Sequence, residues 1–415
     1  MIELTIDRLG GRGDGIAESP DGLVYVPYAV PGDRLRVSLR GRRGQGRLAQ
    51  IEAVLRPGPD RVSPPCPHFA DCGGCVVQHL ADAAYRRWKV GLLREALLRR
   101  GLADAPIADL LVMPPAGRRR ARFAARRTNG GQQLGFNAGG SRRIVDLRAC
   151  LILRPAIVEV LAPLRELLSA IVAGRQVIDV QVTETDSGLD LWLLADLSHG
   201  PRIDAALAEF AEARDLARLS VGLRPETLAT RRDPRVVFAG VSVRPPADAF
   251  LQASRAGEAA LTRLVEASVG EAASAADLYA GLGTFSFALG RRMAVRAVEG
   301  AAAQAEAVVA ARNGATGLRP IEVEVRDLAR RPLAAAELAE FDAVVFDPPR
   351  AGAARQAAEL AASPVPRVVA VSCNPATFAR DARTLVDGGY RLRRITPLDQ
   401  FPWSRHLELV GDFAR

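Results

Sequence analysis

Five short apolar runs alternate with alanine-rich stretches after residue 241: AADLYA, MAVRAVE, IEVEVR, FDAVVFD and RVVAVSC. A strand covered on both faces reads as a continuous apolar run, and parallel neighbours must be joined by a helical crossover, so this spacing predicts a doubly wound parallel sheet. Ligands on such sheets bind beyond the carboxyl ends of the strands. Asp277, Gly281, Glu299, Asp327, Asp347 and Cys373 all fall at those ends, so one edge of the sheet is expected to gather them.

The remaining 240 residues need other cores, since one core stops growing near about 250 residues. The first sixty read as short strands broken by the turns GRGDG, SPDG and PGD, with apolar and polar residues alternating, which predicts a small β-barrel. In its opening strand, its GDGIA and its VYVPYAVPGD this stretch resembles a TRAM domain, an OB-like RNA-binding module. The proline-rich RPGPDRVSPPC, Arg56 to Cys66, reads as a linker. Residues 61–240 mix a basic amphipathic segment, YRRWKVGLLREALLRRG, with strand-like runs such as IVDLRACLIL and LDLWLLADL, and predict an α+β domain. No run of 18 apolar residues and no basic-then-apolar leader is visible, so a cytoplasmic protein is expected.

Charge is divided unevenly. Residues 1–150 carry 25 basic and 14 acidic side chains, whereas the rest carry 31 and 33. A positive excess confined to one region is the footprint of a polyanion binder. Its densest run is GRRRARFAARR, Gly117 to Arg127. Arginine is favoured throughout: Lys89 is the single lysine of the chain.

Cys66, Cys72 and Cys75 lie at C-x5-C-x2-C spacing in CPHFADCGGC, and Cys150 follows in VDLRAC. Three thiols within ten residues suit one metal centre that a distant fourth would complete. Iron–sulfur is favoured; zinc stays open, with His68 and His79 nearby as further donors.

DLYAGLGTFSFALG, Asp277 to Gly290, places a glycine-rich turn between a strand and a helix, where the backbone can approach a nucleotide. Glu299 ends the next strand, positioned for two ribose hydroxyls, and Asp327 ends the third, near an adenine edge. This is the pattern of an S-adenosyl-L-methionine site in class I methyltransferases. DPPR, Asp347 to Arg350, resembles the motif of amino methyltransferases, which would imply methylation of an exocyclic amine. Cys373 favours a different reaction: carbon 5 of a pyrimidine attacks a sulfonium methyl only after a nucleophile has added to carbon 6, and a thiolate suits that addition.

With these motifs in place the chain resembles the RNA uracil-C5-methyltransferases along its whole length, and most of all the branch that acts on 23S ribosomal RNA. The resemblance rests on SCNPAT and ARD between Ser372 and Asp381, on Cys66, Cys72, Cys75 and Cys150, on DLYAGLG, on FLQ at Phe250 to Gln252, and on LDQFPWSRHLELV. Two departures are Trp403-Ser404 for a more usual His-Thr and Ala253-Ser254 after Gln252. The resemblance implies three parts: a TRAM barrel over residues 1–60, a central α+β domain with a [4Fe-4S] cluster on the four cysteines over 61–240, and a class I, Rossmann-like α/β methyltransferase domain over 241–415. It implies Cys373 as nucleophile and Glu408 as base, with Gln252, Tyr279, Gly281, Gly283, Thr284, Glu299, Asp327 and Asp347 around S-adenosyl-L-methionine. Ribosomal RNA is the implied partner of a monomer, transfer RNA the alternative. A cytosine-C5 enzyme would carry a second cysteine after the fourth strand, and Asp347-Pro348-Pro349-Arg350 has none.

Overall fold

The computed structural model describes residues 1–172, 174, 176–197 and 200–415. Strands β1 (Ile2–Thr5), β2 (Arg8–Leu9), β3 (Gly15–Ser19), β4 (Gly22–Val26), β5 (Arg34–Arg43) and β6 (Gly46–Arg56) form one sheet in the order β1-β5-β6-β4-β3-β2. Alternation turns Leu35 and Val37 into a core with Ile6, Ala17, Val24 and Val26 and leaves Arg34 and Arg36 outside. Buried Asp33 accepts from the Val30 and Gly58 amides and pairs with Arg61, which fixes the start of the proline-rich linker against this sheet.

Helix α1 (Asp82–Leu98) and the two-residue strand β7 (Leu111–Val112) follow. Next come β8 (Arg120–Thr128), β9 (Gly131–Asn137), β10 (Ile144–Asp146), α2 (Pro155–Glu159), α3 (Leu161–Ile171), β11 (Val177–Thr185), β12 (Gly188–Leu194), α4 (Pro201–Ala213), β13 (Arg218–Val221) and β14 (Glu226–Thr230). Their seven strands run β10-β9-β8-β11-β12-β13-β14. Leu164, Leu168 and Leu207 from the helices close a core over Phe123, Val180 and Leu193.

The arginine-rich run lies in and just before β8; Arg118, Arg122 and Arg127 are exposed, while part of the run is held by protein groups. Arg119 is buried, pairs with Glu258 and donates to the Gln252 carbonyl; Arg120 donates to Gln181; Arg122 pairs with Asp179. These cations neutralise and orient protein groups, so the local density overstates the charge offered to a partner.

The hairpin β15 (Val236–Phe238) and β16 (Val241–Val243) leads to α5 (Arg255–Val269), whose first turn is capped by the Ser254 hydroxyl, 3.0 Å from the Gly257 amide. Then β17 (Ser274–Leu278), α6 (Thr284–Gly290), β18 (Ala294–Glu299), α7 (Ala302–Asn313), β19 (Ile321–Val325), α8 (Ala335–Leu338), β20 (Ala343–Phe346), α9 (Ala354–Ala362), β21 (Arg367–Ser372) and α10 (Pro375–Asp387) alternate as the spacing predicts. The chain closes with β22 (Arg391–Asp399) and β23 (Glu408–Ala414). The eight-stranded sheet has the order β19-β18-β17-β20-β21-β23-β22-β7, parallel from β19 through β21. Strand order reverses beside β17, which opens the crevice where such sheets hold ligands.

Strand β23 lies antiparallel between β21 and β22. Beyond them β7 pairs with β22, and Leu93 and Leu97 of α1 pack into the core formed with Phe378, Leu385, Ile395 and Phe413. Helix α1 therefore covers the carboxyl-terminal half of this sheet. No helix among the described residues is long and apolar enough to cross a membrane.

Candidate active site

The turn after β17 bends sharply, with Tyr279, Gly281 and Gly283 at φ +62°, +57° and +81°. A Cβ on Gly283 would meet the Phe287 ring at 2.7 Å, so this position needs glycine twice over. The Glu299 carboxylate accepts from the Gly281 and Ala301 amides, both at 2.8 Å, and so ties the turn to the end of β18 with lone pairs still available for hydroxyl donors. Thr284 opens α6 directly behind the turn. Beneath it Asp277 is fully buried and accepts from Ser286 Oγ; burial pushes its carboxyl up to about 7. Asp327 stands apart from this group. It is exposed, accepts from the Ala329 amide at 3.0 Å and pairs with Arg330, so its carboxylate shapes its own turn.

On the other side of the crevice Cys373 follows β21 without a spacer. Asn374 then caps α10, its Oδ1 accepting from the Ala376 amide at 3.1 Å, and Pro375 occupies the first turn, where no amide donor is needed. The Asn-Pro pair thus ends the strand and starts the helix, leaving the preceding thiol at the mouth. Asn374 Nδ2 also donates to the Arg350 carbonyl at 3.0 Å, joining the DPPR loop to the same mouth. The Cys373 thiol is pushed up to about 11, by burial first and by the Glu408 and Asp347 carboxylates next, with the Arg350 guanidinium opposing them.

Glu408 begins β23 and is buried. Burial and the neighbouring Asp347 raise its carboxyl to about 8; burial raises Asp347 itself to about 7. The two carboxyls are joined by a pair of amides. Gln252 Nε2 donates to Asp347 Oδ2 at 3.0 Å, Gln400 Nε2 donates to Gln252 Oε1 at 2.9 Å, and Gln400 lies close enough to Glu408 to favour its charged form. Gln252, Gln400 and Glu408 are each at most 4% exposed, so these amide orientations are fixed by one another. Gln252 therefore holds Asp347 directly and meets Gln400 with its other atom. Gln400 escapes a sequence reading because a single glutamine at the end of a strand carries no pattern.

Cys373 opens into a cleft of about 630 Å³ whose other walls include Asn374, Arg350, Arg405, Arg99 and Arg100. Arg99 and Arg100 come from the end of α1, so the basic wall is assembled from both ends of the chain.

The four remaining cysteines line a separate cavity of about 480 Å³ with Arg118 and Phe136. Burial and the proximity of the other thiols raise Cys72, Cys75 and Cys150, Cys75 to about 12. Among the described residues no three His, Cys, Asp or Glu side chains converge as one metal ion would require. Neither histidine is a donor here: His68 accepts from the Arg148 amide at 3.2 Å, and His79 is buried against Tyr28 and Phe69.

A family model described as tRNA (Uracil-5-)-methyltransferase matches residues 240–412. An uncharacterized RNA methyltransferase of Rhizobium meliloti (strain 1021) is 43% identical over 422 residues, covering 99% of each chain. The 23S rRNA (uracil(1939)-C(5))-methyltransferase RlmD of Chromohalobacter salexigens is 35% identical, covering 98% of this chain and 87% of that one. Among solved structures, the tRNA (uracil-54, C5)-methyltransferase of Pyrococcus abyssi in complex with S-adenosyl-L-homocysteine superposes with a TM-score of 0.78 over 99% of each chain at 23% identity.

Proposed function

The chain belongs to the RNA uracil-C5-methyltransferase family and is an S-adenosyl-L-methionine-dependent enzyme, and from that premise we propose that it forms 5-methyluridine in 23S ribosomal RNA in the cytoplasm, with Cys373 as nucleophile and Glu408 as base. One observation carries the assignment of roles: Ser372 pairs with Leu409 across β21 and β23, which sets Cys373 and Glu408 at the same end of adjacent strands.

Cys373 reacts as the thiolate, its proton given up to solvent; its sulfur bonds to uracil carbon 6, and the electron pair of the 5,6 double bond is displaced toward the carbon-4 oxygen. Carbon 5 takes the methyl group from the sulfonium, whose electron pair stays with the departing thioether. Glu408 then removes the proton left on carbon 5, the double bond re-forms and the thiolate leaves. Carboxyls raised by burial are stronger bases than ordinary ones, which suits Glu408 to a carbon-bound proton. Asp347, oriented by Gln252, faces the base. Tyr279, Gly281, Gly283, Thr284 and Glu299 hold the cofactor; Asp327 contributes through its turn. The target uridine must leave any stack to reach the half-buried thiol in the wall of the cleft.

We read the six-stranded amino-terminal sheet as a TRAM-like barrel that grips RNA, and the four-cysteine cavity as the seat of a [4Fe-4S] cluster in a monomer. Four thiols sharing a cavity without converging on a point fit a polynuclear cluster, which spreads its ligands, better than one tetrahedral zinc. A bound cluster would withdraw the thiol protons and stabilise the loops around it. The ribosomal target is favoured over transfer RNA by the full-length relative named for 23S rRNA. Mass mapping of 5-methyluridine in both RNA classes from a strain lacking the gene tests this: loss from 23S rRNA is expected, and loss confined to tRNA would overturn it.

A further inference from the structure

Among 56 basic side chains only Lys89 is a lysine, and its side chain is wholly buried. Its ammonium has three donors, and all three are used. Nζ bonds Asp399 Oδ1 at 2.8 Å, the Phe401 carbonyl at 3.2 Å and the His406 carbonyl. Those acceptors bracket the segment that runs from the end of β22 to the start of β23, where Glu408 sits two residues beyond His406.

The same segment is held from the other side of Asp399. The Tyr85 hydroxyl, one turn before Lys89 on α1, donates to Asp399 Oδ2 and accepts from the Trp403 amide at 2.9 Å. The Phe401 amide donates to Asp399 Oδ1 at 3.1 Å. Trp403 adopts a left-handed φ of +56°, a conformation that persists in a bulky residue only where its surroundings impose it. Its carbonyl accepts from the Val76 and Val77 amides, beside Cys75.

A planar guanidinium presents its donors in a flat fork, whereas an ammonium directs three donors toward points around one centre. In a chain that uses arginine everywhere else, the three-acceptor pocket on α1 explains the exception. We propose that Lys89 is a positioning residue for proton removal: it clamps the Asp399–His406 segment so that the first carboxyl of β23 meets the carbon-5 proton. This rests on the assignment of Glu408 as base. The helix that supplies Arg99 and Arg100 to the cleft thereby also sets the base, although neither Lys89 nor Tyr85 lines the cleft.

The test compares two signals on RNA carrying tritium at uracil carbon 5: methyl incorporation, which precedes proton removal, and tritium release, which reports it. Removing Lys89 alone would strand a buried Asp399 charge, so the pair is replaced together as Lys89→Met with Asp399→Leu, and Tyr85→Phe serves as the milder variant. With folding and S-adenosyl-L-methionine affinity checked, tritium release should slow by about tenfold or more while single-turnover methyl incorporation changes by less than about threefold, and a denaturation-resistant, methylated protein–RNA adduct should accumulate. Lys89→Arg should behave like the double variant. If the double variant does not fold, Tyr85→Phe and Lys89→Arg decide by the same two signals. Parallel loss of both signals, normal tritium release, or rescue by Lys89→Arg would overturn the proposal. Glu408→Gln is run alongside: an adduct there with normal release in the Lys89 variants rejects the clamp alone, and no adduct there rejects the base and the clamp with it.

Discussion

Cys373 and Glu408 lie one ladder position beyond the Ser372–Leu409 pair, so the proposed nucleophile and the proposed base are spaced by backbone hydrogen bonding and not by side-chain packing. Register between buried strands is hard to shift, because a one-residue slip turns every side chain to the wrong face. The distance between nucleophile and base should therefore survive substitutions elsewhere in the cleft.

Glu408→Gln keeps the size and the capacity to hydrogen-bond but removes the basicity. It should stall after methyl transfer, giving a protein–RNA band that resists denaturation and carries the methyl label. Adding Cys373→Ala should abolish the band. Normal turnover by Glu408→Gln would move the base elsewhere, with Asp347 the next carboxyl to test.

Asp277, Asp347 and Glu408 all have carboxyls raised in the fold, to about 7, 7 and 8. A raised carboxyl stabilises the fold while protonated, so this contribution is complete below the unfolded values, 3.8 for the aspartates and 4.5 for the glutamate, and is lost as pH climbs through 7 and 8. The melting temperature should fall between pH 5 and pH 9. Asp277→Asn, which keeps an acceptor for Ser286, should flatten that fall; an unchanged slope would show that Asp277 is ionised throughout.

Anaerobically purified protein should be brown and hold about four irons per chain, and Cys150→Ser should lower the iron content. Stoichiometric zinc without iron would reject the cluster.

Arg99, Arg100 and Arg405 bracket the cleft at Cys373. Replacing all three with alanine should weaken RNA binding and make the dependence of log K on log salt shallower by about 0.7 for each phosphate of a single strand that is no longer neutralised. Binding titrations at several salt concentrations supply the slope; an unaltered slope would place the phosphate grip on other surfaces.

The central parallel strands β17, β20 and β21 were legible because each is buried on both faces, and the thiol because a cysteine before Asn-Pro marks the exit of a strand into a capped helix. Glu299 was legible for the same positional reason. For Asp327 the position just past the third strand was legible, but not the bond of its carboxylate to the turn that follows. Gln252 and Gln400 become partners only when the ends of two distant segments meet. The run around Arg119 misleads for a related reason: sequence shows cations but not which of them face Glu258, Gln181 or Asp179. Lys89 carried a compositional signal, a lone exception in an arginine-rich chain, whose meaning depends on the three acceptors in the folded protein.

Strand β7 pairs with β22, and helix α1 shares a core with β22 and β23, which are synthesised long after both. Synthesis runs ahead of assembly here. Leu93 and Leu97 are made early, yet the surface that covers them includes Ile395 and Phe413. A stalled nascent chain ending before residue 391 should leave α1 open to protease, and protection should arrive only with the final hairpin. Earlier protection would mean that α1 first docks elsewhere. On this order of events Cys373 is made before Glu408, and the two strand ends meet only once β22 and β23 have folded beside α1.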